Sequence, residues 1–211
     1  MMGFSFHIIL IPLFWAIWCA LHSFLIAPPV TAFARKKLGE GVRFYRLFYN
    51  VFSLLTLLPL GAYSFFYQGR AIFKWTGSWA ILQYALIVIG LVLLWAGGRH
   101  YSLSQFLGFQ QIQSGQTGQT LTGEGQLDFS GIHQVIRHPW YAAGILMVWG
   151  RDITWSILLT NLVIDIYFVI GAALEEKKLL TAFGEKYKAY QQQVSMLFPY
   201  KFLRAKFKSR L

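Results

Sequence analysis

Long apolar runs separated by short basic stretches set the pattern of this chain, and their lengths predict helices that cross a bilayer. The first run, roughly residues 4–26, contains no Lys, Arg, Asp or Glu. About 20 apolar residues suffice for a helix to span the hydrocarbon. A cleaved signal peptide fits poorly, because no basic region precedes the run and it is too long for the apolar part of such a leader. Pro28-Pro29 stops the helix, since proline lacks the N–H and its ring clashes with the preceding turn. A second run, roughly 47–67, holds Pro59 inside it, a kink that membrane helices tolerate. A third, roughly 79–98, has Gln83 as its one strongly polar side chain.

A polar stretch, 99–137, follows. Its Gly/Gln/Thr-rich centre, 113–126, predicts a flexible cytosolic loop. Pro139 then opens a fourth helix that runs to about Gly150. Arg151-Asp152 reads as a turn, and a fifth helix runs from about Trp155 to Ala173. The fourth is short for a full span, so the last two form a hairpin that crosses the bilayer in part. From Glu175 to Gln193 the pattern stays helical but becomes amphipathic and charged, and that portion is expected outside the membrane. The expected fold is an all-α integral membrane protein with about five transmembrane helices and a cytosolic amphipathic C-terminal helix. It forms one membrane-embedded domain over 1–211. Residues 1–130 carry three helices and the loop, 131–200 the hairpin and C-terminal helix, and 201–211 a basic tail.

Composition supports this. Of 211 residues only 13% are charged, against about 25% in a soluble domain. The net charge of +11 would suit nucleic acid, but the basic residues are spread over membrane-flanking loops with no soluble, stacking-rich domain. They suit anionic lipid headgroups instead. The first loop carries Arg35, Lys36, Lys37, Arg43 and Arg46, the second only Arg70 and Lys74, and the tail Lys201, Arg204, Lys206, Lys208 and Arg210. Basic loops stay in the cytoplasm. The N-terminus is then outside, the C-terminus cytosolic, and the expected location a bacterial inner membrane. Cys19 is the single cysteine, so neither an internal disulfide nor a cysteine-based metal site can form.

Four places could carry chemistry. Arg137-His138-Pro139-Trp140-Tyr141 opens a helix with proline at its first position. The free N–H groups and positive end of that helix, with Arg137, could hold a carboxylate or phosphate. The same residues could instead mark the membrane boundary and its aromatic belt. Glu175-Glu176 places adjacent carboxylates where the fifth helix leaves the membrane; they need donors or cations there. Those could be a ligand, Arg137, or the neighbouring Lys177 and Lys178. Asp165 lies one turn from Asn161 inside an apolar helix and should face a polar cavity or hydrogen-bond another helix. His22 sits near the cytosolic end of the first helix. His22, His100, His133 and His138 lack the spacing of a metal site. Gly115, Gly118, Gly123 and Gly125 do not make a dinucleotide fingerprint, no strand precedes them, and no P-loop is present. There is no G-x-S-x-G elbow either.

In order along the chain, Gly131-Ile132, Arg137-His138-Pro139, Tyr141, Glu175-Glu176, Leu179, Phe183-Gly184, Tyr187, Tyr190, Val194 and Pro199 form a pattern. It resembles the isoprenylcysteine carboxyl methyltransferase family and the related phospholipid methyltransferases, over roughly 131–200. Leu21-His22-Ser23, Tyr45-Arg46-Leu47-Phe48-Tyr49-Asn50 and Gln105-Phe106-Leu107-Gly108 resemble the NnrU-like proteins, a neighbourhood that includes membrane methanethiol S-methyltransferases. The resemblance implies an S-adenosylmethionine pocket at the cytosolic face, lined by His138, Tyr141, Glu175 and Glu176, with Arg137 and Tyr187 as further candidates. It implies a small thiol or a lipophilic, isoprenylcysteine-type acceptor entering from the bilayer. His22 or Asp165 is then a candidate base for a thiol acceptor. Sterol-type reductases share a similar C-terminal pattern and bind NADPH. They show an acidic-basic-acidic run where this chain has Glu175-Glu176-Lys177-Lys178. A non-enzymatic membrane protein is the third reading, because fold does not establish activity.

Overall fold

The computed structural model describes residues 6–99, 101–114 and 129–208. These fold into helices α1 (His7–Leu25), α2 (Pro28–Leu38), α3 (Tyr45–Tyr67), α4 (Trp79–Gly98), α5 (Leu103–Leu107), α6 (Phe109–Ser114), α7 (Pro139–Trp149), α8 (Trp155–Gln193) and α9 (Tyr200–Lys208). No strand occurs among the described residues. Four helical stretches are long and apolar enough to cross a membrane: His7–Leu25, Pro28–Tyr67, Trp79–Gly98 and Trp155–Gln193. They fit a multi-pass membrane protein. Large apolar side chains stand exposed on them, Leu55, Ile81 and Trp95 among others, as lipid-facing surfaces require and aqueous ones seldom allow. The fourth predicted helix is α7. Its 11 residues make a rod of about 16 Å, roughly half the hydrocarbon thickness. Most of the expected glycine- and glutamine-rich loop, and His100, lie outside the described residues.

Three departures from the sequence reading have simple causes. Pro28-Pro29 ends α1 but also begins α2, because Pro28 takes the first helical position, where its missing N–H costs nothing. The amphipathic region beyond Glu175 is not one straight helix. Gly184 interrupts α8 with φ 52° and ψ −130°, a backbone state that only glycine adopts without strain. The tail is itself helical, as α9.

The chain divides into two compact units. In the first (Met1–Phe73, Tyr101–Gln126 and Ile153–Ile164), α1 and α3 run antiparallel, joined by a ladder of side-chain hydrogen bonds. Trp15 Nε1 donates to Ser64 Oγ at 2.9 Å and Trp18 Nε1 to Thr56 Oγ1 at 3.0 Å. His7 Nδ1 lies 2.7 Å from Tyr63 Oη, and Tyr45 donates to the Leu25 carbonyl at 2.6 Å. Away from water such bonds join helices that apolar packing by itself would leave free to slide. In the second (Lys74–His100, Leu127–Asp152 and Asp165–Leu211), α4 packs along α7 through small residues. A Cβ on Gly97 would stand 2.7 Å from the Trp140 ring, one on Gly90 2.6 Å from Met147, and one on Gly150 2.7 Å from Ile87. Trp140 Nε1 donates to the Leu94 carbonyl and Gln83 Nε2 to the Gly150 carbonyl, both at 3.1 Å.

Candidate functional site

The site grows from the start of α7. Residues 136–138 run extended beside 195–196: the Arg137 N–H donates to the Ser195 carbonyl at 2.9 Å and the His138 N–H to Met196 at 3.1 Å, a short parallel bridge. This leaves the Arg137 and His138 side chains directed at α8. Both are nearly buried, at 8% and 5% side-chain exposure. Arg137 Nε donates to Glu176 Oε1 at 2.6 Å. His138 Nε2 lies 3.2 Å from the same oxygen. Gln191 Nε2 donates to Glu176 Oε2 at 2.8 Å. Arg137 Nη1 donates to the carbonyls of Gln191 and Val194. Buried charge is tolerated only when it is paired and hydrogen-bonded in this way.

Glu175 is in a different environment. Its carboxylate lies 3.8 Å from His138 Nδ1, and its side chain is 37% exposed. The Tyr141 ring lies one turn into α7, 5.6 Å from the His138 ring and 5.8 Å from Phe168, over Gly171 of α8. Tyr187 is 1% exposed and packs on Tyr190, whose hydroxyl donates to the His133 carbonyl at 2.6 Å. Arg137, His138, Glu175, Glu176, Tyr141 and Tyr187 therefore belong to one neighbourhood around α7 and α8.

The guanidinium that the sequence offers to a ligand anion is instead committed to Glu176 and two carbonyls. Gln191, absent from the sequence-derived set, completes the knot. On a straight helix it would stand about 22 Å from Glu176. The break at Gly184 folds it back, and Phe183-Gly184 inside a helical pattern is the one signal that could have found it.

Asp165 and His22 have other partners. Asp165 Oδ2 accepts from Trp149 Nε1 of α7 at 2.8 Å, an interhelical hydrogen bond; its Oδ1 is buried without a partner. His22, in the first compact unit, stacks on Trp18 at 4.7 Å. Its Nδ1 lies 3.0 Å from Ser53 Oγ, and its Nε2 lies 2.5 Å from Tyr49 Oη. Arg46 Nε donates to the Phe106 carbonyl at 3.1 Å. Asn50 Nδ2 donates to the Phe106 and Leu107 carbonyls at 2.9 and 3.1 Å. Gly108 closes α5 in a left-handed conformation, φ 99°, with no room for a Cβ against the Leu47 amide. The N-terminal motif pieces thus converge: the 45–50 segment grips both His22 and the 105–108 turn.

No protein-family model matches the chain, and no solved structure matches it significantly. Curated proteins do. Over 69 residues, 32% of the chain, it is 41% identical to a methanethiol S-methyltransferase of Pseudomonas deceptionensis, covering 26% of that protein. Over 159 residues, 72% of the chain, it is 30% identical to methanethiol S-methyltransferase 1 of Bradyrhizobium diazoefficiens, covering 54% of it. Over 132 residues, 58% of the chain, it is 26% identical to a methanethiol S-methyltransferase of Mycobacterium tuberculosis, covering 53%. The chain spans at most 54% of the length of these three relatives.

Proposed function

We propose that this chain, which is similar over part of its length to methanethiol S-methyltransferases, is an integral membrane methyltransferase. Its methyl donor is S-adenosylmethionine, and its acceptor is a small thiol of the methanethiol kind. A lipophilic acceptor of the isoprenylcysteine type is the broader class within the same reading. The observation that carries the proposal is the open Glu175 carboxylate held against His138 by a buried knot of Arg137, Glu176 and Gln191.

The donor set suits a cationic, hydroxyl-bearing ligand. An exposed carboxylate can accept from an ammonium or from ribose hydroxyls, and the Tyr141 ring offers a face to positive charge. Glu175, His138 and Tyr141 would hold the cofactor. Glu176, Arg137 and Tyr187 act through them: Glu176 fixes the His138 ring, Arg137 ties α8 to the 191–194 segment, and the buried Tyr187 packs on Tyr190. S-adenosylmethionine held there by Glu175, His138 and Tyr141 would supply a methyl group on a sulfonium, which would depart as the neutral thioether S-adenosylhomocysteine, while a thiol acceptor would give up its proton to a base. Orientation supplies most of the acceleration in such a displacement, so rigid walls matter more than acid–base groups. His22, held by Tyr49 and Ser53, and Asp165, held by Trp149, are the two candidates for that base.

The test is the thermal stability of the detergent-purified protein with S-adenosylmethionine, S-adenosylhomocysteine, NADPH or no ligand, followed by transfer of labelled methyl to methanethiol. A ligand at a hundredfold its Kd stabilises by about 2.7 kcal/mol. Stabilisation by the two adenosyl compounds, with labelled dimethyl sulfide formed, is the expected result. Stabilisation by NADPH in their place would refute the reading.

A further inference from the structure

Helix α9 is short and basic. Its nine residues, Tyr200–Lys208, include Lys201, Arg204, Lys206 and Lys208 and no acid. Tyr200, Leu203 and Phe207 recur at helical spacing and form one apolar stripe, with exposures of 53%, 41% and 69%. Lys201, Arg204 and Lys208 repeat the same spacing one position on, so a basic stripe runs beside the apolar one. Every residue from 202 to 208 is exposed. An apolar stripe edged by cations, in a chain with four helical stretches long and apolar enough to cross a membrane, fits the headgroup boundary of an anionic leaflet. There the apolar face enters the acyl region and the cations meet phosphate.

One cation of the helix points inward. Lys201 Nζ donates to the carbonyls of Gln191 and Gln192 at 2.7 and 3.0 Å, capping the end of α8 with positive charge. The Lys201 N–H donates to Ser195 Oγ at 3.0 Å. The Gln191 carbonyl also accepts from Arg137 Nη1 at 3.2 Å. The base of α9 and the Arg137–Glu176 knot therefore share an acceptor.

We propose that α9 is a docking arm for an anionic lipid leaflet, and that seating it there steadies the 191–196 segment on which Arg137 is anchored. Arg204, Lys206 and Lys208 meet the headgroups, Tyr200, Leu203 and Phe207 enter the apolar layer, and Lys201 carries the constraint to the end of α8.

The experiment is amide hydrogen exchange on the full chain in nanodiscs of phosphatidylcholine, with or without phosphatidylglycerol. No cofactor is added, so the result stands whether or not the protein transfers methyl groups. With phosphatidylglycerol, exchange at 201–208 should slow on the order of tenfold or more, with slower exchange also at 191–196. High salt, which shortens the Debye length to about 3 Å at 1 M, should erase the gain. So should the triple variant R204Q/K206Q/K208Q, with α4 exchange unchanged as the fold control. Lys201→Met should keep the gain in α9 and lose it at 191–196. Equal exchange in the two lipids, or a gain that survives both salt and the triple variant, would overturn the proposal. Should the triple variant fail to fold, the lipid and salt comparisons on the unaltered chain still decide it.

Discussion

Glu175 and Glu176 are neighbours in the chain with different surroundings, and the same substitution should affect their contributions to stability differently. Glu176→Gln removes the charge that Arg137 and His138 share. Breaking one side of a nearly buried pair costs about 3 kcal/mol, so the melting temperature should fall, and cofactor affinity with it. Glu175→Gln should leave stability within about 0.5 kcal/mol, as exposed substitutions do. It should weaken S-adenosylmethionine binding roughly tenfold, about 1.4 kcal/mol. Thermal unfolding and titration calorimetry on both variants check this. Unchanged affinity in a well-folded Glu175→Gln protein would remove Glu175 from the cofactor site. Asp165 gives a second contrast. Asp165→Asn keeps a carbonyl oxygen for Trp149 Nε1 and should retain stability within about 1 kcal/mol, whereas Asp165→Leu leaves that donor unsatisfied and should cost about 1–3 kcal/mol. Methyl transfer lost in a stable Asp165→Asn protein would make Asp165 the base in place of His22.

At the scale of elements, α4 and α7 meet through glycine, and the fit is close enough to be broken by one carbon. Gly97→Ala places a Cβ 2.7 Å from the Trp140 ring and 3.0 Å from Pro139, two groups with little freedom to move. Overpacking of this kind costs about 1–3 kcal/mol, to be read from unfolding in detergent. Gly61→Ala, where the new carbon meets nothing within 4 Å, should be neutral or stabilising by about 0.5–1 kcal/mol, since alanine favours a helix over glycine. Equal effects at the two sites would show that α4 and α7 are not in tight contact. Gly184 acts differently: it lets α8 turn back so that Gln191 reaches Glu176.

For the whole molecule, the short α7 raises the question of how many times the chain crosses the bilayer. The turn after α7 pairs with the segment after α3. The Ile72 and Phe73 N–H groups donate to the Ile153 carbonyl at 2.7 and 3.1 Å. Trp75 donates to Asp152 Oδ1 at 3.1 Å and, through its indole, to the Arg151 carbonyl at 2.9 Å. We propose five crossings, with the 11 residues of α7 making the fourth beside α4 and the C-terminus returning to the cytoplasm. A fluorescent reporter fused after Leu211 should glow in the cytoplasm, and a periplasm-specific reporter inserted at Gly77 should be active outside. Both reporters on the same side would refute this topology.

The positions of the long helices are legible in the sequence because the bilayer imposes a one-dimensional rule: about 20 apolar residues, with cations at the ends. The apolar run at 79–98 matches α4, Trp79–Gly98, at both ends, and the proline at 139 marks the start of α7. The residue types around the site were legible too, because carboxylates and an arginine are costly near a membrane and must find one another. What each of them holds was not. Sequence spacing allowed Arg137 to meet a ligand or Glu176. The bridge between 136–138 and 195–196 and the break at Gly184 decided for Glu176, by bringing Gln191 and the Val194 carbonyl to the same place. Likewise the sequence places His22 near one end of the first helix, and only the pairing of α1 with α3 gave it Tyr49 and Ser53. Composition and periodicity fix how much apolar surface must be covered and where a helix can run. Which polar group satisfies which is a contact between distant residues, and the tertiary fold settles it.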